Sequence, residues 1–340
     1  MREYDRKDDN NMQIGTISAE KGKLVKGYLE IGYLNDGEPV KIPVLIASGE
    51  TEGEVLWVEG GIHGTESGGT LAIIETLNSL DLKKLKGTVV GVPVVNIAAH
   101  RAGQRLSPID GTNLNRVFPG RADGSYTEQL ADAYFKIVSR HANYLLDFHS
   151  GGETMKSPYY CGDIFKQNDE TSDLTKKMLD YTGADAGWIG YYEEFHGKLP
   201  SQLASLAKSK IPALIVESGG GDVTKTDIDN YKQSILGCLK GFGFLEGEPP
   251  VNPKQISVIN GAFPTGPMTH KGGLFLTEVQ PGAILKKGEP VGKIINLFGE
   301  VLEEMVSPAD GVYVNAIMKN CTPVNSGEMY GEFAQVLEEE

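Results

Sequence analysis

Four short apolar runs, separated by segments of helical spacing, constrain this 340-residue chain more than any other feature of it. They are EVLWVE (Glu54 to Glu59), GTVVGVPVVN (Gly87 to Asn96), NYLLDFH (Asn143 to His149) and IPALIVE (Ile211 to Glu217). Runs this short and this apolar fit strands of a sheet that is covered on both faces. The segments near 65–79, 126–141, 172–182 and 226–242 carry the apolar spacing of helices that pack on such a sheet. Strands alternating with helices specify an α/β fold, with a mixed, mostly parallel sheet flanked by helices.

Ahead of these runs, LVKGYLEIGYL and VKIPVLIAS flank Asn35-Asp36-Gly37, a strong turn signal, so Gly22 to Gly49 reads as a β-hairpin. Ala99 to Gly120 reads as a long polar loop, and a loop of that length in a compact domain is usually functional. Gly187 to Gly197 reads as a second loop, rich in Gly and aromatics, and a short helix is expected from Ser201. GEPPVNP (Gly247 to Pro253) is a Pro-rich break, beyond which helical spacing gives way to short, Gly-punctuated strands. The expected organisation is an α/β domain over 1–246 that begins with the hairpin, a linker over 247–253 and an all-β domain over 254–340.

Candidate chemistry lies where the runs end. VLWVEGGIHGTESGG places His63 and Glu66 on the turn between the first run and its helix. A His and a Glu spaced i, i+3 on a tight turn can converge on one point, and both are good zinc ligands. His149 ends the third run and Glu217 the fourth. In a parallel sheet those ends share one edge, where ligands bind. Two histidines and one carboxylate there leave a fourth position open for water, as a hydrolytic zinc site requires. Asp147, two residues before His149, is placed either to orient that imidazole or to make an ordinary strand-end hydrogen bond. His100, His141 and His270 read as structural or surface residues. His196, with Tyr191 and Tyr192, falls in a Gly-bounded loop placed to border a pocket.

The formal net charge of -14 argues against nucleic acid or an anionic membrane as a partner. Cys161, Cys238 and Cys321 lie far apart and form no C-x-x-C pair, which points to a reducing cytoplasm. MREYDRKDDNN lacks the apolar core of a signal peptide, and no apolar stretch is long enough to span a bilayer. The expectation is a cytoplasmic protein with a small-molecule partner, with homo-oligomer assembly left open.

GGIHGTE (Gly60 to Glu66), NLNRVFPG (Asn113 to Gly120), DFHS (Asp147 to Ser150) and IVESGG (Ile215 to Gly220) resemble the motifs of the succinylglutamate desuccinylase/aspartoacylase family, in order and in spacing. The resemblance covers roughly the first 245 residues and implies a zinc carboxypeptidase-like fold. It implies one zinc ion per chain held by His63, Glu66 and His149, with Glu217 as general base. Asn115 and Arg116 would then hold a substrate carboxylate, and Arg105 would polarise the scissile carbonyl, with Arg101 as its competitor. The implied activity is zinc-dependent hydrolysis of the amide bond of a small N-acyl amino acid. A metallocarboxypeptidase acting on short peptides uses the same ligands and base and is the alternative. A non-catalytic protein that kept the fold would be expected to lose a ligand or the base, and all four are present. Thr65 stands where aspartoacylases usually have Asn, so N-acetylaspartate is not singled out.

The C-terminal region, with SPADGVYV, resembles the barrel-sandwich fold of biotinyl and lipoyl carriers. No lysine lies between Lys293 and Lys319 to serve as the carrier residue of such a fold. A non-carrier module that packs beside the active site or between subunits is expected.

Overall fold

The computed structural model describes residues 12–165, 169–190, 201–259 and 267–337. Tyr191, Tyr192 and His196 lie outside the described residues. Two short strands, β1 (Gln13–Ile14) and β2 (Ile17–Ser18), pair with each other. The expected hairpin follows as β3 (Leu24–Tyr33) and β4 (Pro39–Ser48), antiparallel from Leu24 opposite Ala47 to Tyr33 opposite Pro39. Its turn uses Gly37 at φ 85°, a conformation that costs glycine little. The alternation of strands and helices then runs β5 (Thr51–Gly60), α1 (Gly68–Ser79), β6 (Lys86–Val92), α2 (Ile97–Ala102), α3 (Tyr126–His141) and β7 (Tyr144–His149). It continues with β8 (Met155–Phe165), α4 (Glu170–Thr182), β9 (Ala186–Gly190), α5 (Gln202–Lys208), β10 (Ala213–Gly219) and α6 (Lys225–Gly241). The described C-terminal elements are all strands: β11 (Ile256–Ile259), β12 (Gly273–Thr277), β13 (Ile284–Leu285), β14 (Pro290–Ile295), β15 (Val301–Val306), β16 (Val312–Met318), β17 (Thr322–Val324) and β18 (Gly331–Val336).

Two elements stand where loops were expected. Helix α2 occupies Ile97–Ala102, capped by the Asn96 side chain and stopped by Gly103 at φ 59°. At six residues it is too short to show a helical repeat. Strand β9 covers Ala186–Gly190 at the start of the Gly-rich stretch. Strand β6 ends at Val92, earlier than expected, since Pro93 has no N–H to give the ladder.

The large sheet has the order β13-β16-β18-β11-β9-β8-β10-β7-β5-β6-β4-β3. Strands β6, β5, β7 and β10 are parallel at its centre. The expectation of a mostly parallel sheet needs correction beyond that centre, because β4 and β3 join antiparallel on one side and β8 runs against β10 on the other. Only Ser150 to Thr154 separate β8 from β7, too few residues to return the chain to the far end of the sheet.

Side chains alternate between two cores. Leu56, Val58, Leu146 and Phe148 face α1, α4 and α6 through Ile73, Leu77, Met178, Tyr231 and Ile235. Val55, Trp57 and Leu145 face α3 and α5 through Leu130, Tyr134, Val138, Leu203 and Leu206. His149 and Glu217 share the parity of Leu145 and Ala213, so both fall on the α3/α5 side at the strand ends.

Sheet pairing continues past Gly247–Pro253. Strand β11 lies parallel to β9 from Ile256 opposite Ala186 onward, and β18 and β16 extend the sheet from there. Strands β15-β14-β12-β17 form a separate four-stranded sheet. Phe275, Val291, Ile294, Val314 and Phe333 make a core of their own in this region. Strand β16 also pairs with the start of β8, Met318 opposite Met155, and the Lys319 N–H donates to the Thr154 carbonyl at 2.8 Å. The C-terminal strands are thereby seated beside the turn that follows His149. Among the described residues no helix is long and apolar enough to cross a membrane. The three cysteines are free, with Cys161 and Cys238 buried.

Candidate metal and catalytic site

The turn that carries His63 and Glu66 is shaped by glycine. Gly61 takes φ 62°, and a Cβ on Gly64 would collide with the backbone of Ala99 in α2. The short helix that was not expected is therefore the floor against which this turn is pressed. Both side chains are buried there, as is His149 at the end of β7.

The ligating atoms of His63, Glu66 and His149 lie within 4.8 Å of one another. His63 Nδ1 is 2.9 Å from Glu66 Oε1, and His149 Nδ1 is 2.9 Å from Glu66 Oε2. The outer ring nitrogens are engaged elsewhere. His63 Nε2 sits 3.1 Å from Asn113 Oδ1, and His149 Nε2 sits 2.9 Å from Asp147 Oδ2. The Asn113 oxygen also accepts the Asn115 N–H at 2.9 Å, which fixes its orientation and makes it an acceptor for His63. With Nε2–H donated to Asn113, the His63 Nδ1 lone pair faces the Glu66 carboxylate, whereas His149 stands between two carboxylates, Asp147 at Nε2 and Glu66 at Nδ1. His63 Nδ1 is buried without a hydrogen bond. Ligand-type atoms of two imidazoles and one carboxylate that converge in this way fit a cation, and the outward hydrogen bonds are those that orient metal-bound histidines.

The electrostatics separate the two rings. Burial favours the neutral form of His63 and lowers its pKa, against the pull of Glu66. Burial also disfavours charge on Glu66 and His149, but there the partners prevail: His63 and His149 hold Glu66 below the usual carboxylate range. The Asp147 and Glu66 carboxylates raise His149 well above the usual imidazole range. Each group is held in the protonation state its neighbours dictate.

Glu217 stands directly beside His149 in the β10/β7 register. Burial, with help from the Glu66 and Glu332 charges, pushes its carboxyl up to about 8, while His149 and Arg105 pull the other way. Arg105 reaches the cluster and donates from Nη1 to Glu66 Oε1 at 2.5 Å, its side chain half exposed at 49%. Arg101 lies on the exposed last turn of α2. Asn115 is buried on the single 3-10 turn Leu114–Arg116, and its Oδ1 accepts the Gln202 N–H at 3.1 Å, which leaves its amide group as a donor. Arg116 is exposed and donates from Nη1 to the Asn115 carbonyl at 2.7 Å. Asp147 takes the orienting position beside His149. His270 pairs with Glu303 at 2.9 Å on the surface, outside the cluster.

Sequence reasoning did not single out Asn113 or Tyr231. Asn113 lies in the same NLNR segment as Asn115, so the signal was present, but its role depends on an approach to His63 across 50 positions. The Tyr231 hydroxyl lies 2.5 Å from the His149 carbonyl and 2.6 Å from the Ser218 carbonyl, so α6 ties the end of β7 to the end of β10.

The fold and the site define a mixed α/β protein with a His-Glu-His cluster, suited to a metal ion, at the ends of its central parallel strands. A sequence profile described as the succinylglutamate desuccinylase/aspartoacylase catalytic domain matches residues 52–241, and the chain belongs to that family. Over 335 residues, 95% of either chain, it is 30% identical to the N-alpha-acetyl-L-2,4-diaminobutyric acid deacetylase of Halomonas elongata. A crystal structure of a succinylglutamate desuccinylase/aspartoacylase from Rhodobacter sphaeroides matches with TM-score 0.82 at 23% identity, over 93% of this chain and 95% of that one. The product-bound ectoine utilization protein EutE (DoeB) from Ruegeria pomeroyi matches with TM-score 0.84 at 24% identity, over 94% and 98%. At these identities the structural likeness speaks for the fold.

Proposed function

We propose that this protein is a zinc-dependent deacylase that hydrolyses the amide bond of a small N-acyl amino acid. The observation that carries this is the convergence of His63 Nδ1, His149 Nδ1 and the Glu66 carboxylate, with Glu217 in register beside them. The name of the Halomonas relative, a deacetylase of an N-acetylated amino acid, supports the substrate class. We read the arrangement as zinc carboxypeptidase-like, because the central parallel strands β5, β7 and β10 bring the ligands and the base to one edge. We also retain the division into a catalytic domain over 1–246, a linker over 247–253 and a β domain over 254–340. The separate C-terminal core supports it, although sheet pairing crosses the linker.

A zinc ion held by His63, Glu66 and His149 would supply a Lewis acid and lower the pKa of water to about 7. Glu217, with its raised proton affinity, takes a proton from the attacking water and returns it to the leaving amine. A cation held in the cluster would lower the proton affinity of Glu217 toward the ionised form that a base requires. The Arg105 guanidinium, already directed into the cluster, offers charge to the oxygen that turns anionic as the carbonyl is attacked. Arg116 presents a planar fork to the substrate carboxylate, and the Asn115 amide adds a donor beside it.

The test is free-amine release by the zinc-loaded protein from N-acetyl, N-succinyl and N-formyl amino acids, with dipeptides and tripeptides alongside and a chelated sample as blank. Chelator-sensitive turnover confined to the N-acyl amino acids is expected. Turnover of peptides alone would sink the deacylase reading in favour of a carboxypeptidase.

A further inference from the structure

A buried polar cluster lies behind the metal site, on the face covered by α3 and α5. Glu59 and Asp147 are both 0% exposed, and they stand opposite one another in the parallel β5/β7 register. The Tyr134 hydroxyl, from α3, donates to Glu59 Oε2 at 2.5 Å, and Trp57 Nε1 donates to the same hydroxyl at 3.0 Å. Asp147 Oδ2 is occupied by His149. The remaining oxygens, Glu59 Oε1 and Asp147 Oδ1, are buried without a well-formed hydrogen bond, as are both amide atoms of Gln202 at the start of α5, although Gln202 lies close enough to Glu59 to favour its ionised form slightly against burial. Orphaned polar atoms are costly singly, and a group of them on one face points to a proton or a water shared among them.

We propose that Glu59 is a positioning residue that fixes His149 through Asp147, by donating a hydrogen bond from its carboxyl to Asp147 Oδ1, either directly or across one buried water. Two ionised carboxylates side by side in a dry layer repel each other, and one proton held between them removes that cost. Asp147 accepts from His149 Nε2 through Oδ2, which leaves Oδ1 as an open acceptor. Burial, and then the Asp147 charge, push Glu59 well above the ordinary carboxyl range, so the proton resides on Glu59. Trp57, Tyr134 and Glu59 then each donate toward Asp147, which accepts from His149 Nε2 on its other oxygen. With one oxygen anchored, Asp147 cannot rotate away from the imidazole, and Nδ1 stays aimed at Glu66. Supporting groups of this kind are worth about 10- to 100-fold in metal affinity.

The inference rests on the reading of His149 as a metal ligand for its consequence, though not for the hydrogen bond itself, so two measurements are needed. Infrared difference spectra at neutral pH between the wild-type protein and Glu59→Gln should show a protonated-carboxyl band that is lost in the variant. Competition with a chromogenic chelator should show zinc affinity within about 3-fold of wild type for Glu59→Gln, whose amide still donates, and a loss of about 10- to 100-fold for Glu59→Met, which keeps bulk but offers no donor. Absence of the band overturns the proposal whether or not Glu59→Met folds. A folded Glu59→Met that binds zinc as the wild type does overturns it as well. A wild-type protein that binds no zinc would instead refute the metal reading, and the infrared result would still decide the hydrogen bond.

Discussion

The carboxamide oxygen of Asn113 lies 3.1 Å from Nε2 of His63 and accepts the backbone N–H of Asn115 at 2.9 Å. One atom thus couples the orientation of a metal-ligand candidate to the loop that carries the substrate-binding candidates. Asn113→Ala should weaken zinc binding by about 10- to 100-fold, since the imidazole loses the partner that sets its tautomer. Excess zinc should restore most of the turnover. Chelator competition and turnover against zinc concentration measure both effects, and unchanged zinc affinity would remove Asn113 from the site.

Glu217→Gln separates proton transfer from metal binding. The amide keeps the shape of the side chain but cannot take up a proton, so turnover should fall by about 100- to 10,000-fold. Zinc content should stay at the wild-type level, because Glu217 is not among the converging ligand atoms. Activity near wild type with full metal occupancy would show that the base is another group.

The two arginines differ in where the fold puts them. Arg105 contacts Glu66, whereas Arg101 sits on the exposed end of α2. Arg105→Ala should cost about 100- to 1,000-fold in kcat, the scale of losing one donor to a developing oxyanion. Arg101→Ala should change kcat only a few-fold. The reverse ranking would move the carbonyl-polarising role to Arg101.

The parts of this structure that were legible in sequence are those governed by local periodicity. EVLWVE, NYLLDFH and IPALIVE are apolar enough that their ends, and with them His63, Glu66, His149 and Glu217, fall on one edge by periodicity alone. What escaped depends on contacts between distant segments. Strand β11 has four residues, and its pairing with Ala186 to Ile189 on one side and with β18 on the other makes it part of the main sheet. Helix α2 is shorter than two turns, so its Asn96 cap and Gly103 stop were its only signals. Glu59 reads as one more strand-end acid until Tyr134, 75 positions later, is folded onto it.

The start of α3 should respond to acid through Asp110. Its carboxylate accepts the Thr127 N–H at 2.9 Å, the Thr127 hydroxyl at 2.7 Å and the Thr112 N–H at 3.2 Å, which ties the loop that contains NLNR to the helix. Partial burial works against ionisation, but these hydrogen bonds outweigh it and bring the carboxyl down to about 2. An unfolded Asp titrates near 3.9, so the folded state binds its proton less readily. The stabilisation is therefore fully present above about pH 4 and is lost as pH falls toward about 2. Discounted for solvent screening, since the group is only partly buried, it is worth about 1 kcal/mol. Asp110→Asn should be less stable than wild type by about that amount near pH 6, and the gap should narrow below about pH 4 and close as pH falls through about 2. Urea unfolding of both proteins across that range measures the gap, and a difference independent of pH would assign the effect to lost hydrogen-bond geometry rather than to the charge.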